Sequence, residues 1–454
     1  MAKKPDPQLL LDFERVLGAL NVRAGEAAIE PDLSRIAALM DFLGSPQLAY
    51  RVVHVAGTNG KTTTSRMIEA LLSEAGLGVG LTTSPHLHDV RERIRIHGEP
   101  VSLEGFVGAY DDIAPFLDLV QDQLRGAPLT YFEVLTAMAF AAFAEAPVDA
   151  AVVEVGMGGR WDSSNVVQPD VVVITPIGLD HQQFLGETIR EIAWEKAGVI
   201  KPGTVVVCAE QQQEAMEVIA ERCAEVGAAL LVEGVDFGLV ERAIAVGGAQ
   251  LTIRGLGGEY QDVVMPLHGR HQARNATLAL AAVEAFFGAG VTGRRLDPDL
   301  VQAAFARVTS PGRLEVMKRN PTVILDAAHN PHGAQSLATA IVEEFAFDRL
   351  CLVVGIFADK DVAGFLEVLE PLCDHLVCAQ SSSPRALPAE ELAEQAGRLG
   401  FDSVEVKPKL IDALDAAVAY ADAFDRDEHA VGIVVCGSVV TISEARALLG
   451  RHTA

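Results

Sequence analysis

Positive charge is scarce in this chain. Lysine and arginine together number 36 against 62 aspartates and glutamates, which leaves a formal net charge of −26 over 454 residues. A protein that binds nucleic acid or an anionic membrane needs a basic face, so this composition argues against both partners. It leaves a small anionic substrate open, because one pocket can be positive on an acidic protein.

The chain also lacks long apolar runs and paired cysteines. It has no uncharged apolar stretch of about 18 residues, so no membrane span is predicted. The segment Met1–Val16 holds two lysines but no extended apolar run, which argues against a signal peptide. The six cysteines form no C-x-x-C pair, and we interpret them as buried free thiols in a reducing compartment. A cytoplasmic protein is therefore expected.

What the chain does contain is a regular alternation of Val- and Ile-rich runs with Ala-rich segments. Runs such as RVVHVAG, DVVVITPIG, TVVVCAE and LCLVVGIF are apolar throughout, as expected of strands buried on both faces of a parallel sheet. Segments such as EVLTAMAFAAFAEA have the spacing of helices. The pattern predicts an α/β protein, and its length predicts two domains.

A domain boundary is predicted at FARVTSPGRLEV, where a helical pattern stops and Pro311-Gly312 interrupts the chain. We assign residues 1–310 to a larger N-terminal domain and residues 311–454 to a second α/β domain. Residues from about 230 to 266 are Gly-rich with short alternating runs. They predict a small antiparallel insertion in the first domain.

The stretch VVHVAGTNGKTTTSRMIEALLSEAG (Val52–Gly76) reads as a strand, a glycine turn and a helix. Such a unit gathers backbone N–H groups and a helix N-terminus around one point, which suits an anion. Lys61 would add positive charge for the β- and γ-phosphates, and Thr62 a hydroxyl for Mg²⁺. The strict G-x-x-x-x-G-K-[ST] pattern is not met, because Val55 stands at its first glycine. The alternative is a Gly-Lys-Thr turn that arose by chance.

Two further strand-like runs in the predicted N-terminal domain end in polar residues. Glu154 lies in VVEVGMGG, where a buried carboxylate needs a partner or a metal; the alternative is a strand-end glutamate in solvent. His181 follows another strand in GLDHQQ, a position suited to a site, although a single histidine is more often structural. Because adjacent parallel strands bring their ends together, we expect Glu154 and His181 to share a metal ion. Lys196 lies in WEKAG on a helix, where a lysine alone usually faces solvent.

The predicted C-terminal domain repeats this pattern of polar residues at the end of a strand. Asp326, His329 and Asn330 follow the strand of VILDAAHNPHG, either as a site or as a turn with an Asx cap. The block HGRHQARNA precedes a helix in the predicted N-terminal domain. Its His, Arg and Asn side chains either face a nucleotide or serve as helix caps.

Taken together, these stretches resemble folylpolyglutamate synthase/dihydrofolate synthase, a family of the Mur ligase superfamily of ATP-dependent amide-forming ligases. The loop HVAGTNGKTTT matches the superfamily's G-T-N-G-K form, and it is closer to the cell-wall Mur ligases than to the folate enzymes' usual Gly-Lys-Gly-Ser. Ala327 also departs from the family's common glycine. The resemblance extends from about Asp32 to Glu444, and it is carried in order by TSPHLHDVRERIRIHG, TYFEVLTAMAF, EVGMGGRWDSSN, GLDHQQFLGETIREIAWEKAGVIKPG, HQARNA, PGRLEV and DAAHNP.

The resemblance implies the fold and the roles of the site residues. The fold is α/β, with an N-terminal P-loop-type parallel-sheet ATPase domain and a smaller Rossmann-like C-terminal domain. The residues that contact ATP would be Gly57, Thr58, Asn59, Gly60, Lys61, Thr62, Thr63, Asn275, Arg313 and Asp326. Those that hold Mg²⁺, two ions in all, would be Thr62, Ser84, Glu154, His181 and Lys196, the last as a carbamate. Those that border the pterin would be Thr130, Tyr131, Phe132, Glu133, Trp161, Asp162 and Ser163. The catalytic residues would be Lys61, Lys196 and His329, with His329 near the incoming glutamate.

The reaction implied is the attachment of L-glutamate to dihydropteroate or a reduced folate, through an acyl phosphate formed from ATP. A monomer is expected, and neither the preferred folate nor the glutamate additions it performs follow from the sequence. Three alternatives stay open: a Mur-type cell-wall ligase, favoured by Thr63; a P-loop ATPase or GTPase switch without ligase activity; and a non-catalytic nucleotide-binding protein. Every expected ligand position is filled, which argues against the last.

Overall fold

The computed structural model describes residues 6–24, 32–124, 128–289, 295–424 and 429–451. Residues 1–5, which begin the segment examined for a signal peptide, lie outside these ranges. The first part of the chain contains ten helices and eleven strands within the described residues. The helices are α1 Pro7–Asn21, α2 Ser34–Phe42, α3 Lys61–Glu74, α4 Leu103–Leu124, α5 Tyr131–Glu145, α6 Gln182–Leu185, α7 Ile189–Ala197, α8 Gln213–Val226, α9 Arg270–Phe286 and α10 Pro298–Ala306. The strands are β1 Arg51–Ala56, β2 Val79–Thr82, β3 Ile94–Ile96, β4 Glu99–Pro100, β5 Ala150–Glu154, β6 Val171–Ile174, β7 Val205–Cys208, β8 Ala229–Val232, β9 Gly238–Ala245, β10 Gly248–Arg254 and β11 Glu259–Met265.

Eight of these strands form one sheet in the order β4-β3-β2-β5-β1-β6-β7-β8. Strands β2, β5, β1, β6, β7 and β8 run parallel to one another. Strands β3 and β4 extend the sheet beyond β2 with antiparallel pairing. Side chains alternate across the sheet, so Val53 and Val55 pack with α3 and α9 while Val52 packs with α1, α2, α4 and α5. Helices α7 and α8 pack on β6 and β7. Because both faces are covered, the central strands are mostly Val and Ile, as the sequence predicted.

Strands β9, β10 and β11 form a separate antiparallel sheet, which packs on α9 and α10. The predicted insertion began near residue 230, but residues 230–232 belong to β8 and pair in parallel with β7. The Gly-rich composition does not mark that start, because β8 is short and only partly buried.

The last part of the chain builds a six-stranded sheet in the order β12-β13-β17-β14-β15-β16, parallel except for β12. Its strands are β12 Glu315–Arg319, β13 Thr322–Leu325, β14 Arg349–Val354, β15 His375–Gln380, β16 Val404–Lys409 and β17 Val431–Cys436. Its helices are α11 Pro331–Glu344, α12 Val362–Leu369, α13 Ala389–Arg398, α14 Leu410–Asp422 and α15 Val439–Arg451. The predicted α/β class with two sheet-based parts is confirmed. The division at residues 310 and 311 into folding units stays a prediction.

None of the helices in the described ranges is long and apolar enough to cross a bilayer. The six cysteines are free thiols, and all except Cys373 are buried.

The two parts of the chain meet at both ends of α11. At its last residue, Glu344 is completely buried and accepts hydrogen bonds from Arg242 on β9, from His268 Nδ1 at 2.9 Å, and from the backbone N–H of Gly269. At its start, Asn330 contacts Asn59 in the loop after β1. Helix α11 therefore fixes the second sheet to the first.

We expect Glu344→Ala to lower the free energy of unfolding by about 3 kcal/mol, because it leaves Arg242 and the Gly269 N–H buried without their acceptor. Denaturant unfolding measures this change. The matched control is Glu343→Ala, since Glu343 is half-exposed and only weakly paired with Arg242 at 3.4 Å. Equal effects of the two substitutions would contradict the assignment of Glu344 as a contact between the parts.

Candidate active site

The turn between β1 and α3 is shaped by two glycines in conformations that favour glycine. Gly57 has φ +142°, and a Cβ there would overlap the Thr175 side chain. Gly60 has φ +89°, and a Cβ there would lie 2.7 Å from Asn275 Oδ1. The loop therefore approaches β6 and α9 closely, and it leads straight into the N-terminus of α3.

Lys61 is the first residue of α3, and its side chain folds back over the loop. Its Nζ donates to the carbonyl oxygens of Gly57 and Thr58, each at 3.1 Å. Burial lowers the pKa of Lys61, while the charge of Glu154 opposes that effect. The predicted phosphate-binding lysine therefore lies at the centre of a glycine turn at the carboxyl end of a central strand.

Glu154 is the last residue of β5 and is only 3% exposed, so the solvent-facing alternative is wrong. One carboxylate oxygen accepts from Thr62 Oγ1 at 2.8 Å and the other from the backbone N–H of Ser84 at 3.3 Å. Burial raises the pKa of Glu154, and the positive charge of Lys61 counteracts this. The structure thus brings together three of the five residues predicted to hold metal.

His181 precedes α6 and adopts a left-handed backbone conformation with φ 53°, which is uncommon for a residue other than glycine. Burial lowers the pKa of His181 to about 3, so its imidazole is neutral, and its Nε2 lies 3.4 Å from Lys360 Nζ. We expected adjacent strands to bring Glu154 and His181 together, and that reason is wrong. Strand β1 lies between β5 and β6, and His181 enters the site from a loop beyond β6.

Lys196, near the end of α7, is 4% exposed, so it is not a surface lysine. Its Nζ donates to the carbonyl oxygen of Gly57 at 2.8 Å, the same oxygen that accepts from Lys61. Burial, aided by the charge of Lys61, lowers the pKa of Lys196 to about 7. A large fraction of this amine is therefore neutral near pH 7, unlike that of an exposed lysine.

Three other residues that were predicted to contact ATP have side chains within hydrogen-bond distance of other side chains of the protein. Thr63 Oγ1 lies 2.8 Å from Ser310 Oγ, in the segment that joins the two parts. Asn59 bonds Asn330 and His332 at the start of α11. Asn275 Nδ2 donates to Gln272 on the same helix. The block HGRHQARNA is not a segment before a helix as predicted, because α9 already begins at Arg270.

The second sheet contributes Asp326, directly after β13. Its carboxylate is buried and accepts from the backbone N–H groups of Leu314 and Ala328, each at 2.8 Å. Burial raises the pKa of Asp326, and the charge of Arg313 opposes this. Asp326 thus makes an Asx-type bond to Ala328, but the cap of α11 is Asn330. His329 Nδ1 lies 2.8 Å from the Ala327 carbonyl oxygen, and its Nε2 lies 3.4 Å from Asp180.

These residues share one cleft of about 360 Å³ between the parts. The predicted residues on its wall are Gly57, Thr58, Asn59, Gly60, Lys61, Thr62, Thr63, Ser84, Glu154, His181, Lys196, Asn275, Arg313, Asp326 and His329. Its wall also includes side chains for which no role was predicted, among them Gln211 and His332.

A larger cavity of about 890 Å³ shares Ser84, His181 and His329 with this cleft. Its wall includes six of the seven predicted pterin contacts: Thr130, Phe132, Glu133, Trp161, Asp162 and Ser163. Tyr131 is not on that wall; it lies with its ring 5.5 Å from the Arg93 guanidinium.

Several of these cavity residues also hold the backbone. Glu133 and Thr130 form the capping box of α5, and Arg35 pairs with Glu133 at 3.1 Å. Asp162 accepts from Met157 N and Ser164 N, both at 2.9 Å. Trp161 is 47% exposed, the largest apolar side chain on the cavity wall left open in this way.

The sequence did not single out the ion pair between Asp180 and Lys360. Lys360 Nζ lies 2.5 Å from Asp180 Oδ1, and both side chains are almost completely buried. Burial would raise the pKa of Asp180, but a hydrogen bond from His329 and the charge of Lys360 hold it far below its usual range. Asn330 also donates to Asp180 at 3.0 Å. The sequence signals were weak: Asp180 directly precedes His181, and Lys360 stands in a loop after β14.

Comparison with known proteins agrees with this geometry. Residues 55–283 match the family model of the Mur ligase middle domain, and residues 312–439 match that of the Mur ligase glutamate ligase domain. The chain is 49% identical to the dihydrofolate synthase/folylpolyglutamate synthase of Mycobacterium tuberculosis, over 98% of this chain and 96% of that protein.

Solved structures agree as well. The M. tuberculosis folylpolyglutamate synthase complexed with ADP and AMPPCP superposes with a TM-score of 0.92, covering 98% of this chain and 99% of that one at 49% identity. An FPGS–AMPPCP–folate complex superposes with a TM-score of 0.84, covering 96% and 99% at 32% identity. The chain belongs to the dihydrofolate synthase/folylpolyglutamate synthase family, ATP-dependent ligases of the Mur ligase type.

Proposed function

We propose that this enzyme attaches L-glutamate to dihydropteroate, to reduced folate, or to both, with ATP converted to ADP and phosphate. The observation that carries the proposal is the shared wall of the two cavities. The glycine loop, Lys61 and Glu154 line the smaller one, and it joins a larger cavity that both parts of the chain enclose. A phosphate donor in the first and a long acceptor in the second would meet at Ser84, His181 and His329.

The glycine loop and Lys61 would hold the phosphates of ATP. Backbone N–H groups at the start of α3 and the buried ammonium of Lys61 suit the negative charge of a triphosphate. Asn275, Arg313 and Asp326 would contact the rest of the nucleotide from α9 and from the second part. Thr63 and Asn59 would support the loop through Ser310, Asn330 and His332.

The residues around Glu154 fit magnesium. Its carboxylate lies 2.8 Å from the Thr62 hydroxyl, and carboxylate and hydroxyl oxygens are ligands of the kind that Mg²⁺ prefers. The described residues contain no group of three or more His, Cys, Asp or Glu arranged around a metal-sized space. The proposed set therefore depends on hydroxyls and, for a second ion, on a carbamate at Lys196. Bound Mg²⁺ would neutralise phosphate charge during transfer.

The chemistry we propose has two steps. A carboxylate oxygen of the acceptor attacks the γ-phosphorus, the bond to ADP breaks, and an acyl phosphate forms. The amine of glutamate then attacks the acyl carbon, loses a proton, and displaces phosphate to leave an amide. Transfer between two anions needs alignment and charge neutralisation more than a protein nucleophile, which agrees with the cations that line the cleft. His329 would lie near the incoming glutamate.

Water would hydrolyse the acyl phosphate, so the site must exclude it. Contacts between the two parts would exclude water at the cleft. Asn59 contacts Asn330, and Asp180 contacts Lys360 and His329. Thr130, Phe132, Glu133, Trp161, Asp162 and Ser163 would border the pterin. We further propose that the enzyme is cytoplasmic, since its cysteines are free thiols, as in a reducing compartment. We also propose that it is a monomer.

Phosphate release from ATP tests the proposal. We expect release with dihydropteroate or tetrahydrofolate to require glutamate and to match the amide formed. Release that is independent of acceptor and glutamate would instead favour the P-loop ATPase or GTPase alternative. Ligation of another amino acid to a cell-wall precursor, with no reaction of glutamate and folate, would favour the Mur-type alternative.

We expect Glu154 and His181 to share one metal ion. In crystals soaked with Mn²⁺, the ion should lie about 2.1 Å from an oxygen of Glu154 and a nitrogen of His181. A Glu154→Gln variant should lose most of the bound metal, measured by calorimetry. A metal farther than about 3 Å from both side chains would contradict this prediction.

A further inference from the structure

The loop after β15 carries the sequence SSSPRALP, to which neither the fold nor the proposed chemistry gives a role. Arg385 in this loop lies on the wall of the larger cavity, together with Trp161 and Phe184 of the first part. Its side chain is 40% exposed, so a ligand has access to it. On a chain with a net charge of −26, a cation at the cavity that would receive an anionic acceptor is a notable feature.

The Arg385 guanidinium is fixed by its neighbours. It lies 4.6 Å from the centre of the Phe357 ring, and Asp359 accepts from Nε at 3.3 Å and from Nη2 at 2.6 Å. Phe357 thus covers one face of the guanidinium, and Asp359 occupies the edge formed by Nε and Nη2. Within the described residues, Nη1 has no hydrogen-bond partner. An arginine held in this way has already lost much of its side-chain freedom, so binding an anion costs less entropy.

The position of Arg385 relative to Lys360 places it away from the reacting groups. The two loops that carry them are joined, because the backbone N–H of Ala358 donates to the Arg385 carbonyl oxygen at 2.9 Å and Phe357 pairs with Ala386. Lys360 lies at the inner, buried side, against Asp180 and close to His181. Arg385 lies at the exposed side. Arg385 lines the larger cavity and Lys61 lines the neighbouring cleft, so a group bound at Arg385 is distinct from the carboxylate that would react beside Lys61.

We propose that Arg385 binds an α-carboxylate of the γ-linked glutamate tail of a folate acceptor, and so favours acceptors that already carry glutamate. This inference rests on the proposed function. A γ-linked tail keeps one free α-carboxylate on each residue, whereas dihydropteroate carries only the carboxylate that reacts. A planar guanidinium with a free edge suits a carboxylate better than an ammonium does. Asp359 and Phe357 position the guanidinium.

The test compares three acceptors: dihydropteroate, tetrahydrofolate with one glutamate, and tetrahydrofolate with two. We expect Arg385→Ala to raise KM for the diglutamate about tenfold relative to KM for dihydropteroate, the size of one charge-assisted hydrogen bond. KM for glutamate should not change. Arg385→Lys keeps the charge but not the two-pronged guanidinium. Its KM for the diglutamate should lie between the values of the wild type and of Arg385→Ala. The control is Arg398→Ala, since Arg398 lies at the end of α13 and donates to the Glu394 carbonyl oxygen of its own helix at 3.2 Å.

Other outcomes overturn the inference. An equal rise of KM for all three acceptors shows a general role of Arg385 in the cavity. A rise of KM for glutamate with every acceptor shows that Arg385 binds the incoming amino acid instead. Thermal unfolding of each variant identifies a folding defect, and Asp359→Asn, which only loosens the guanidinium, then supplies the same comparison. A wild-type enzyme that ligates glutamate to none of the acceptors refutes the proposed function rather than this inference.

Discussion

Lys61→Ala is expected to reduce glutamate ligation by about a thousandfold while leaving the fold intact, the upper end of the range for removal of a fixed donor to a transition-state charge. The ammonium donates to two loop carbonyl oxygens at 3.1 Å, so its loss should hardly affect the core. Glu154 would keep its bonds to Thr62 and Ser84 but lose its nearest cation. The measurement is amide formation under saturating ATP, together with thermal unfolding.

The control for this substitution is Lys407→Ala, because Lys407 lies on the edge strand β16 and pairs with the half-exposed Glu405 at 3.0 Å. Its activity should equal that of the wild type. Lys61→Arg separates charge from shape, and we expect it to bind ATP but to ligate slowly, since the longer group cannot sit on the same two carbonyls. Ligation by Lys61→Ala at the wild-type rate would contradict the phosphate-binding assignment of the loop.

The loop, Glu154 and the P-loop-type sheet were predictable because their signals are local. A strand, two glycines and Lys61 follow one another within ten residues, and Glu154 is a charged residue at the end of an apolar run. Short or exposed strands were missed for the opposite reason. Strand β2, VGLT, has a glycine in its middle and ends in threonine, and β16 is an edge strand with a lysine-rich, half-exposed sequence. Neither has an apolar run long enough to be recognised.

The residues that join the two parts could not be predicted from the sequence. Asp180 and Lys360 are far apart in the chain, and nothing in FADKD indicates a buried ion pair. Glu344 ends a helix in a stretch of acidic residues and looks like any exposed glutamate, yet it is completely buried. The order of strands corrected a further expectation, because β1 separates the strands of Glu154 and His181. Such contacts depend on the packing of the two sheets, which strand and helix patterns do not specify.

Lys196 is the other residue for which a large loss is expected, and the structure gives a reason for an unusual form of it. A carbamate forms when a neutral amine attacks CO₂ and releases a proton, so the amine must be uncharged. Burial beside Lys61 lowers the pKa of Lys196 to about 7, far below the ordinary value for lysine. The product carries a negative charge and two oxygens, which suits both a metal ion and the neighbouring Lys61 ammonium. We therefore propose that Lys196 acts as a carbamate.

We expect Lys196→Ala to lose activity by about a hundredfold or more, and short carboxylic acids to restore part of it by placing a carboxylate in the vacated space. With carbon-13-labelled bicarbonate, the wild type should show a carbamate NMR signal that Lys196→Ala lacks. The signal should weaken as the pH falls through about 7, because protonation of the free amine then competes with carbamate formation. The control is Lys201→Ala, since Lys201 is a half-buried lysine that bonds the Asn165 carbonyl oxygen at 2.6 Å, and its removal should leave the signal unchanged. A fully active Lys196→Ala enzyme would show that the reaction does not need Lys196, and an active wild type without the signal would show that Lys196 acts as a plain amine.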